Sequence, residues 1–216
     1  MALVLDRQSA ARFGVVVYDG VEPIDVGGTV GVVSMAQRLL PAVEAVIIAA
    51  RPGPVRLAGG LVVMAQFGFA DAPRCDRYIV CGGATWPRQA GDAEMVGFLQ
   101  GLRPEVIASV CTGAMILAAS GVLDGRVATT RRRRVGMETA SPLDGMTALA
   151  TGAHPTTALV ADDVVITGGG VSLAIDAMLY LLGTIYGPDV QHDIAEMIEY
   201  DRAYAANIAV LGVTKR

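Results

Sequence analysis

The sequence has few of the residues that mark disulfide-stapled, metal-binding or nucleic-acid-binding proteins. It contains three cysteines, Cys75, Cys81 and Cys111, and two histidines. Because no Cys-x-x-Cys pair or metal-ligand spacing occurs, we expect neither a disulfide framework nor a metal site. The net charge of −4 provides no basic footprint, so nucleic acid is not an expected partner.

The chain also lacks long apolar runs. No run approaches the roughly 20 residues of a membrane-spanning helix, and residues 1–12 include Asp6, Arg7 and Arg12 in place of a signal-peptide core. We therefore expect a cytoplasmic protein with no membrane association. A length of 216 residues predicts one domain over residues 1–216, of which residues 1–11 form a loose leader.

Aromatic residues are scarce at 5%, whereas hydrophobic residues make up 53% and glycines number 26. This composition is typical of an α/β protein whose strands are buried on both faces. Short apolar segments alternate with longer helical patterns, which predicts a doubly wound, mostly parallel sheet with helices on both faces. The expected strands are residues 13–18, 43–50, 78–81, 106–110 and 164–167, with a small antiparallel excursion at 57–69. The expected helices are residues 28–40, 91–102, 112–120, 131–139, 172–186 and 189–207.

Cys111 occupies the position with the clearest chemical meaning. The apolar run 106–110 ends on this cysteine and gives way to small, helix-compatible residues, which predicts a strand that turns sharply into a helix with the thiol at the corner. The N–H groups and dipole of a helix N-terminus stabilise negative charge, so we expect Cys111 to ionise at neutral pH. The alternative is a free cysteine that packs as a small hydrophobe.

Asp25 follows the first expected strand, at or near the start of the first helix. One interpretation is a helix cap, which is a common role for aspartate. The other is an acid beside Cys111. A carboxyl group close to a thiolate and shielded from water has a raised pKa, and in its protonated form it donates a hydrogen bond or a proton.

Two glycine-rich turns follow other strands. Gly82 and Gly83 allow their N–H groups to approach a ligand, as an oxyanion hole requires, although a simple tight turn explains them equally well. Residues 168–170 are three glycines without the pattern of a nucleotide-phosphate loop, which favours close packing of a helix on a strand.

The remaining charged motifs have structural interpretations. Residues 131–134 are four arginines, and we interpret them as a solvated helix face or an ion-paired surface rather than a phosphate or nucleic-acid contact. His154 is expected in a loop and His192 on the last helix. Neither stands at the position after Cys111 where a preformed dyad partner would be expected.

Together, the glycine pair Gly82-Gly83, the elbow Cys111-Thr112-Gly113 and the segments at 117–130 and 165–176 resemble the ThiJ/PfpI superfamily. The resemblance runs from about residue 13 to about residue 186. It implies a flavodoxin-like, class I glutamine amidotransferase-like fold with a cysteine nucleophile elbow and a homodimer. Many relatives carry His-Trp where this chain has Arg131-Arg132.

Within the superfamily, the Asp25 segment and the Cys111-Thr112-Gly113 triplet are most similar to the isocyanide hydratase subgroup. The resemblance implies that Cys111 is the nucleophile, Asp25 the neighbouring carboxyl group and Thr112 a donor near the reacting atom. Gly82, Gly83 and Gly113 are the implied substrate-binding positions. The expected function is a cofactor-independent lyase that hydrates a small, uncharged molecule through a Cys111 thioimidate.

Two alternatives come from the same resemblance. The sensory half of AraC-type transcription regulators is also similar to this chain. Because those regulators need a further helix-turn-helix region, this alternative is expected to be a stand-alone small-molecule sensor. The other is a stress-responsive, glyoxalase-like or redox protein in which Cys111 is oxidised to a sulfinate beside protonated Asp25.

Overall fold

A computed structural model describes residues 4–216 of the chain. The strands are β1 Ala11–Val16, β2 Val43–Ile48, β3 Gly53–Arg56, β4 Val62–Ala65, β5 Arg77–Val80, β6 Ile107–Ser109, β7 Val127–Ala128, β8 His154–Pro155, β9 Val160–Asp162, β10 Ile166–Gly168 and β11 Val213–Lys215. The helices are α1 Pro23–Ala36, α2 Trp86–Ala90, α3 Ala93–Gly101, α4 Gly113–Ala119, α5 Pro142–Gly145, α6 Ala174–Tyr186, α7 Pro188–Met197 and α8 Asp201–Leu211.

A seven-stranded sheet lies at the centre, in the order β11-β9-β10-β6-β5-β1-β2. The strands from β10 to β2 are parallel, whereas β9 is antiparallel to β10 and carries β11 in parallel. The expected mostly parallel α/β sheet with helices is therefore confirmed. The turns that follow β1, β5, β6 and β10 all lie at the carboxyl ends of these parallel strands, where ligands bind in such sheets.

Burial on both faces explains why the central strands appear in the sequence as continuous apolar runs. Phe13 and Val15 of β1, Ile79 of β5 and Ala108 of β6 are fully buried. Leu117 of α4 joins the same core. Apolar burial of this kind supplies the main free energy that holds the sheet and helices together.

A hairpin of β3 and β4 accounts for the antiparallel excursion expected at 57–69, although it begins earlier, at Gly53. Beyond β4 the chain runs along the outer edge of β2. There the Gln66 side chain accepts from the N–H of Ile47 at 2.7 Å, and the N–H of Ala49 donates to the carbonyl of Phe67 at 3.1 Å.

The helix expected at 131–139 is wrong, because this segment forms turns and bends. Gly136 has a φ of 58°, which a right-handed helix does not accommodate. Two apolar side chains of the segment, Val135 and Met137, are 61% and 98% exposed. A helix here would have no apolar face to bury, and packing of such a face is what stabilises most helices.

The single last helix expected at 189–207 is also wrong, because two helices, α7 and α8, occupy this region. Glu199 separates them with a φ of 55°. The break lets the hydroxyl of Tyr200 donate to the buried carboxylate of Asp176 at 2.9 Å, and Asn207 of α8 donates to the same carboxylate at 3.1 Å.

The part of the expected loose leader that the structure describes, residues 4–10, runs alongside α6. The N–H of Leu5 donates to the carbonyl of Ile185 at 2.8 Å, and the Tyr186 hydroxyl donates to the carbonyl of Ser9 at 2.9 Å. Residues 1–3 of the expected leader lie outside the described residues. Among residues 4–216, no helix combines the length and apolar character needed to cross a bilayer.

The close approach of α4 to β5 gives a test of the fold. A Cβ on Gly113 would lie 2.0 Å from the carbonyl oxygen of Val80, so Gly113→Ala should lower the free energy of unfolding by about 3 kcal/mol, measured by urea denaturation. Gly97→Ala is the matched control, because that helical glycine has no atom within 4 Å of its would-be Cβ. The free energy of unfolding of this control variant should instead rise by up to about 1 kcal/mol. Equal stability of the two variants would contradict the close packing.

Candidate functional site

Cys111 lies in the tight turn between β6 and α4, as the sequence predicts. Its φ of 52° falls in the left-handed region, which non-glycine residues adopt only where their surroundings hold them. The N–H of Cys111 donates to the carbonyl of Gly169 at 2.9 Å, and its carbonyl accepts from the hydroxyl of Thr130 at 2.7 Å. Segments after β7 and β10 therefore fix the backbone of this turn.

A cavity of about 570 Å³ opens over Cys111. Its wall consists of Glu22, Gly83, Ala84, Cys111, Thr112, Arg131, Val135, Met137, Glu138 and Val171. Of the six residues singled out from the sequence, Cys111, Thr112 and Gly83 line this cavity. The other three are buried behind its wall.

Asp25 lies on α1 and is fully buried. Its Oδ2 accepts from the N–H of Gly82 at 2.8 Å, whereas Oδ1 has no hydrogen-bond partner among the described residues. The N-cap position of α1 is Glu22, whose side chain makes no capping hydrogen bond. The Asp25 carboxyl group thus joins α1 to the end of β5, and it contacts the Cys111 thiol.

Burial raises the pKa of Asp25 to about 7, even though the hydrogen bond from Gly82 lowers it. The Glu22 carboxylate raises this pKa further, and the contact with Cys111 and the charge of Arg131 lower it. Asp25 therefore exchanges a proton near neutral pH, which suits a group that both donates and accepts protons.

The pKa of Cys111 is raised to about 12, mainly by burial and then by the charge of Asp25. The N–H groups of Val171 and Thr112, and the charge of Arg131, lower it. This direction is opposite to the expectation of an ionised thiol at neutral pH. The physical reason is that the side chain is shielded from water and faces an acid. Protonation of Asp25 removes the charge repulsion, so the two groups share their protons as a pair.

The glycine pair and Thr112 are bound to each other and to Asp25. The N–H of Gly82 donates to Asp25, and the N–H of Gly83 donates to the hydroxyl of Thr112 at 2.9 Å. Both N–H groups already have acceptors, so neither is free to stabilise an oxyanion. A Cβ on Gly82 would lie 2.4 Å from the backbone nitrogen of Thr112. Close approach of the two turns therefore requires this glycine.

The turn after β10 contributes a residue that the sequence analysis missed. Val171 has a φ of 55°, which is rare for a β-branched residue, and its N–H lowers the pKa of the Cys111 thiol. No sequence signal indicates such a conformation. The expected close packing is also present, because a Cβ on Gly168 would lie 2.5 Å from the Cβ of Ala177.

Arg131, Glu22 and Glu138 are the other residues that the sequence analysis did not assign to the site. The Arg131 side chain is only 12% exposed. Its guanidinium binds both carboxylate oxygens of Glu138, with one contact at 2.9 Å. The expected ion pair is present, but on a cavity wall and not on a solvated helix.

Neither histidine lines the cavity. His154 is exposed on β8, and His192 on α7 lies 3.3 Å from Glu196. Among residues 4–216, no group of three or more His, Cys, Asp or Glu side chains is arranged to hold a metal ion.

Known proteins share both the sequence and the fold. The chain is 29% identical over 194 residues to the isonitrile hydratase of Pseudomonas putida, covering 88% of this chain and 79% of that protein. It is 32% identical over 146 residues to the HTH-type transcriptional regulator GbdR of Pseudomonas aeruginosa, covering 66% of this chain and 37% of the regulator. A ThiJ/PfpI family protein from Pseudomonas syringae superposes with a TM-score of 0.75 at 25% identity, covering 95% of this chain and 88% of that one.

The sequence profile of the DJ-1/PfpI family matches residues 11–184. This span contains α1 with Asp25, the glycine turn after β5, the Cys111 elbow and the turn after β10. The chain therefore belongs to the DJ-1/PfpI family.

Proposed function

We propose that this protein is a cysteine-dependent lyase that hydrates a small isonitrile. The observation that carries the proposal is the buried Asp25 carboxyl group, which lies against the thiol that lines the cavity and whose Oδ1 has no hydrogen-bond partner within residues 4–216. The similarity to an isonitrile hydratase supports the choice of reaction. A pKa of about 7 for Asp25 suits proton transfer to a carbon and back from water.

The first step is addition of Cys111 to the terminal carbon of the isonitrile. Ionised Asp25 first takes the proton of the Cys111 thiol. The resulting thiolate forms a carbon–sulfur bond, and the same carbon takes that proton from Asp25. The product is a thioimidate, R–N=CH–S, and Asp25 is left ionised. The N–H groups of Val171 and Thr112 support the charge of the thiolate before the attack.

The second step returns the enzyme to its starting state. Water adds to the thioimidate carbon, with one of its protons going to the nitrogen and the other to Asp25. The carbon–sulfur bond then breaks and releases the N-formamide. Asp25 passes its proton to the departing sulfur, which restores the Cys111 thiol and the Asp25 carboxylate. Thr112 holds the glycine turn in place around the reacting carbon through its bond to Gly83.

A stand-alone ligand sensor is the second candidate. Two observations favour it: the Cys111 pKa is raised to about 12, and the N–H groups of Gly82 and Gly83 are already bonded. A buried, weakly nucleophilic thiol is compatible with ligand binding without turnover. The similarity to GbdR points to the same candidate.

The homodimer expected from the sequence remains part of this proposal. The surface of α1 carries a groove of about 560 Å³ that includes Ile24, Gly31, Met35 and Ile175. Ile24 is 50% exposed. An apolar groove of this kind suits a second copy of the chain packed across a two-fold axis.

The role of Asp25 is tested by Asp25→Asn. An asparagine preserves the shape of the side chain but does not donate a proton to the isonitrile carbon, so we expect kcat for isonitrile hydration to fall by about 10²–10⁴. Asp176→Asn is the control, because Asp176 is equally buried but its carboxylate binds Tyr200 and Asn207 and not the Cys111 thiol. Unchanged turnover in Asp25→Asn would remove Asp25 from the reaction.

The raised pKa of Asp25 also predicts how stability depends on pH. Its pKa is about 7 in the folded protein against an ordinary 3.8, so its stabilising contribution is complete below about pH 4 and is lost as the pH rises through 7. Relative to Asp25→Asn, the wild-type protein should lose about 4 kcal/mol of unfolding free energy between pH 4 and pH 8. Urea denaturation of both proteins across this range measures the difference. A difference independent of pH would show that Asp25 ionises normally.

The proposed dimer is tested by Gly31→Glu. A Cβ on Gly31 meets no atom within 4 Å, so the substitution leaves α1 intact while placing a charge in the groove. Light scattering should show a dimer for the wild-type protein and for Gly31→Ala, and a monomer for Gly31→Glu. A monomeric wild-type protein would contradict the dimer outright.

A further inference from the structure

We propose that Arg131 binds a carboxylate on the ligand of the Cys111 cavity, and that the Glu138 carboxylate occupies this position until the ligand displaces it. The inference rests on the proposed function for the identity of the reacting group, an isonitrile. It adds that the substrate also carries a carboxylate, and so replaces the expectation of an uncharged molecule.

Arg131 is held where a ligand bound near Cys111 would meet it. It shares the cavity wall with Cys111, and its charge acts on both Cys111 and Asp25. The carbonyl of Arg131 accepts from the N–H of Leu143 at 3.2 Å. Its backbone also passes so close to Gly170 that a Cβ there would lie 2.9 Å from the Arg131 Cα. The guanidinium therefore projects from a fixed point.

The partner of Arg131 is of the type that a ligand carboxylate would replace. A guanidinium matches a carboxylate through two parallel N–H···O bonds, and it discriminates strongly against neutral groups. Glu138 already makes this two-bond contact. In the part of the chain that the structure describes, the only other bond to its carboxylate is from the N–H of Val135, at 2.8 Å.

The segment that carries Glu138 is poorly anchored. Residues 132–139 form turns, and the neighbouring Met137 is 98% exposed. Movement of Glu138 into solvent would uncover little apolar surface. The released Glu138 carboxylate would be hydrated, while the ligand carboxylate restores the same two bonds to Arg131. The exchange therefore replaces one ion pair by another.

Glu22 increases the selectivity of the cavity among anionic ligands. Its carboxylate shares the cavity wall with Arg131 and Glu138, so the cavity carries more negative than positive charge while Glu138 is in place. An anion that does not pair with Arg131 is repelled. Only a ligand whose carboxylate reaches Arg131 when its reactive end is at Cys111 avoids this repulsion.

The test compares alkylation of Cys111 by iodoacetate and by iodoacetamide, which differ in having a carboxylate or a neutral amide. Site-resolved mass spectrometry follows Cys111 alone, and the ratio of the two rates cancels changes in general access to the thiol. Glu138→Gln frees Arg131 and should raise the iodoacetate-to-iodoacetamide ratio about tenfold. Arg131→Gln should lower it by about the same factor, and Arg131→Lys should fall between them.

Glu22→Gln is the matched control, because it removes one negative charge from the same cavity without freeing Arg131. It should change the ratio by no more than about twofold. An equal rise in Glu22→Gln and Glu138→Gln would overturn the proposal, since it would show only a general effect of charge. An unchanged ratio in Glu138→Gln would overturn it as well.

If neither reagent labels Cys111, the same variants are compared by the increase in Tm that acetate causes relative to acetamide. Acetate should raise the Tm of Glu138→Gln more than it raises the Tm of the wild-type protein. Equal increases in Tm would overturn the proposal.

Isonitrile hydration is measured separately with neutral and carboxylate-bearing isonitriles. Failure of turnover on both, with the expected alkylation ratios, would reject the proposed function while leaving the anion site in place.

Discussion

The hydrogen bond from the Gly82 N–H to the Asp25 carboxylate is the constraint on which the site depends. It joins the first turn of α1 to the end of β5 at 2.8 Å and holds the acid against Cys111. The bond forms only because residue 82 has no side chain, since a Cβ there would lie 3.0 Å from Asp25 Oδ2 and nearer still to Thr112. A backbone position with no side chain therefore holds the buried acid beside the thiol and lowers the pKa that burial has raised.

The electrostatics of this pair are compatible with both candidate functions. Burial raises the pKa of both Asp25 and Cys111, so an incoming ligand meets a protonated thiol beside an acid that exchanges its proton near neutral pH. For a lyase, this arrangement supplies the proton and the nucleophile together when the substrate carbon arrives between them. For a sensor, it keeps the thiol unreactive while the cavity binds and releases its ligand. The chemistry of the ligand decides which outcome occurs.

The sequence predicts features that depend on local pattern, and misses those set by distant contacts. The apolar runs of β1, β5 and β6, and the Cys111 elbow after β6, follow from strand burial and the change to small residues. The helix prediction for residues 131–139 is wrong because the arginines favour a helix locally, whereas Gly136 and the exposed Val135 and Met137 do not. Arg131 was missed for a related reason, since its burial depends on Gly170, far away in sequence.

The chain segment that runs along β2 also bears on how the protein avoids aggregation. An uncovered edge strand can recruit strands from other molecules. Here Gln66 and Phe67 occupy hydrogen-bonding positions beside Ile47 and Ala49, so this end of the edge is already paired. At the opposite edge, β11 spans only Val213–Lys215 and ends in a cation. The pairing beside Ile47 and Ala49, and the cation on β11, each disfavour the addition of a strand from another molecule.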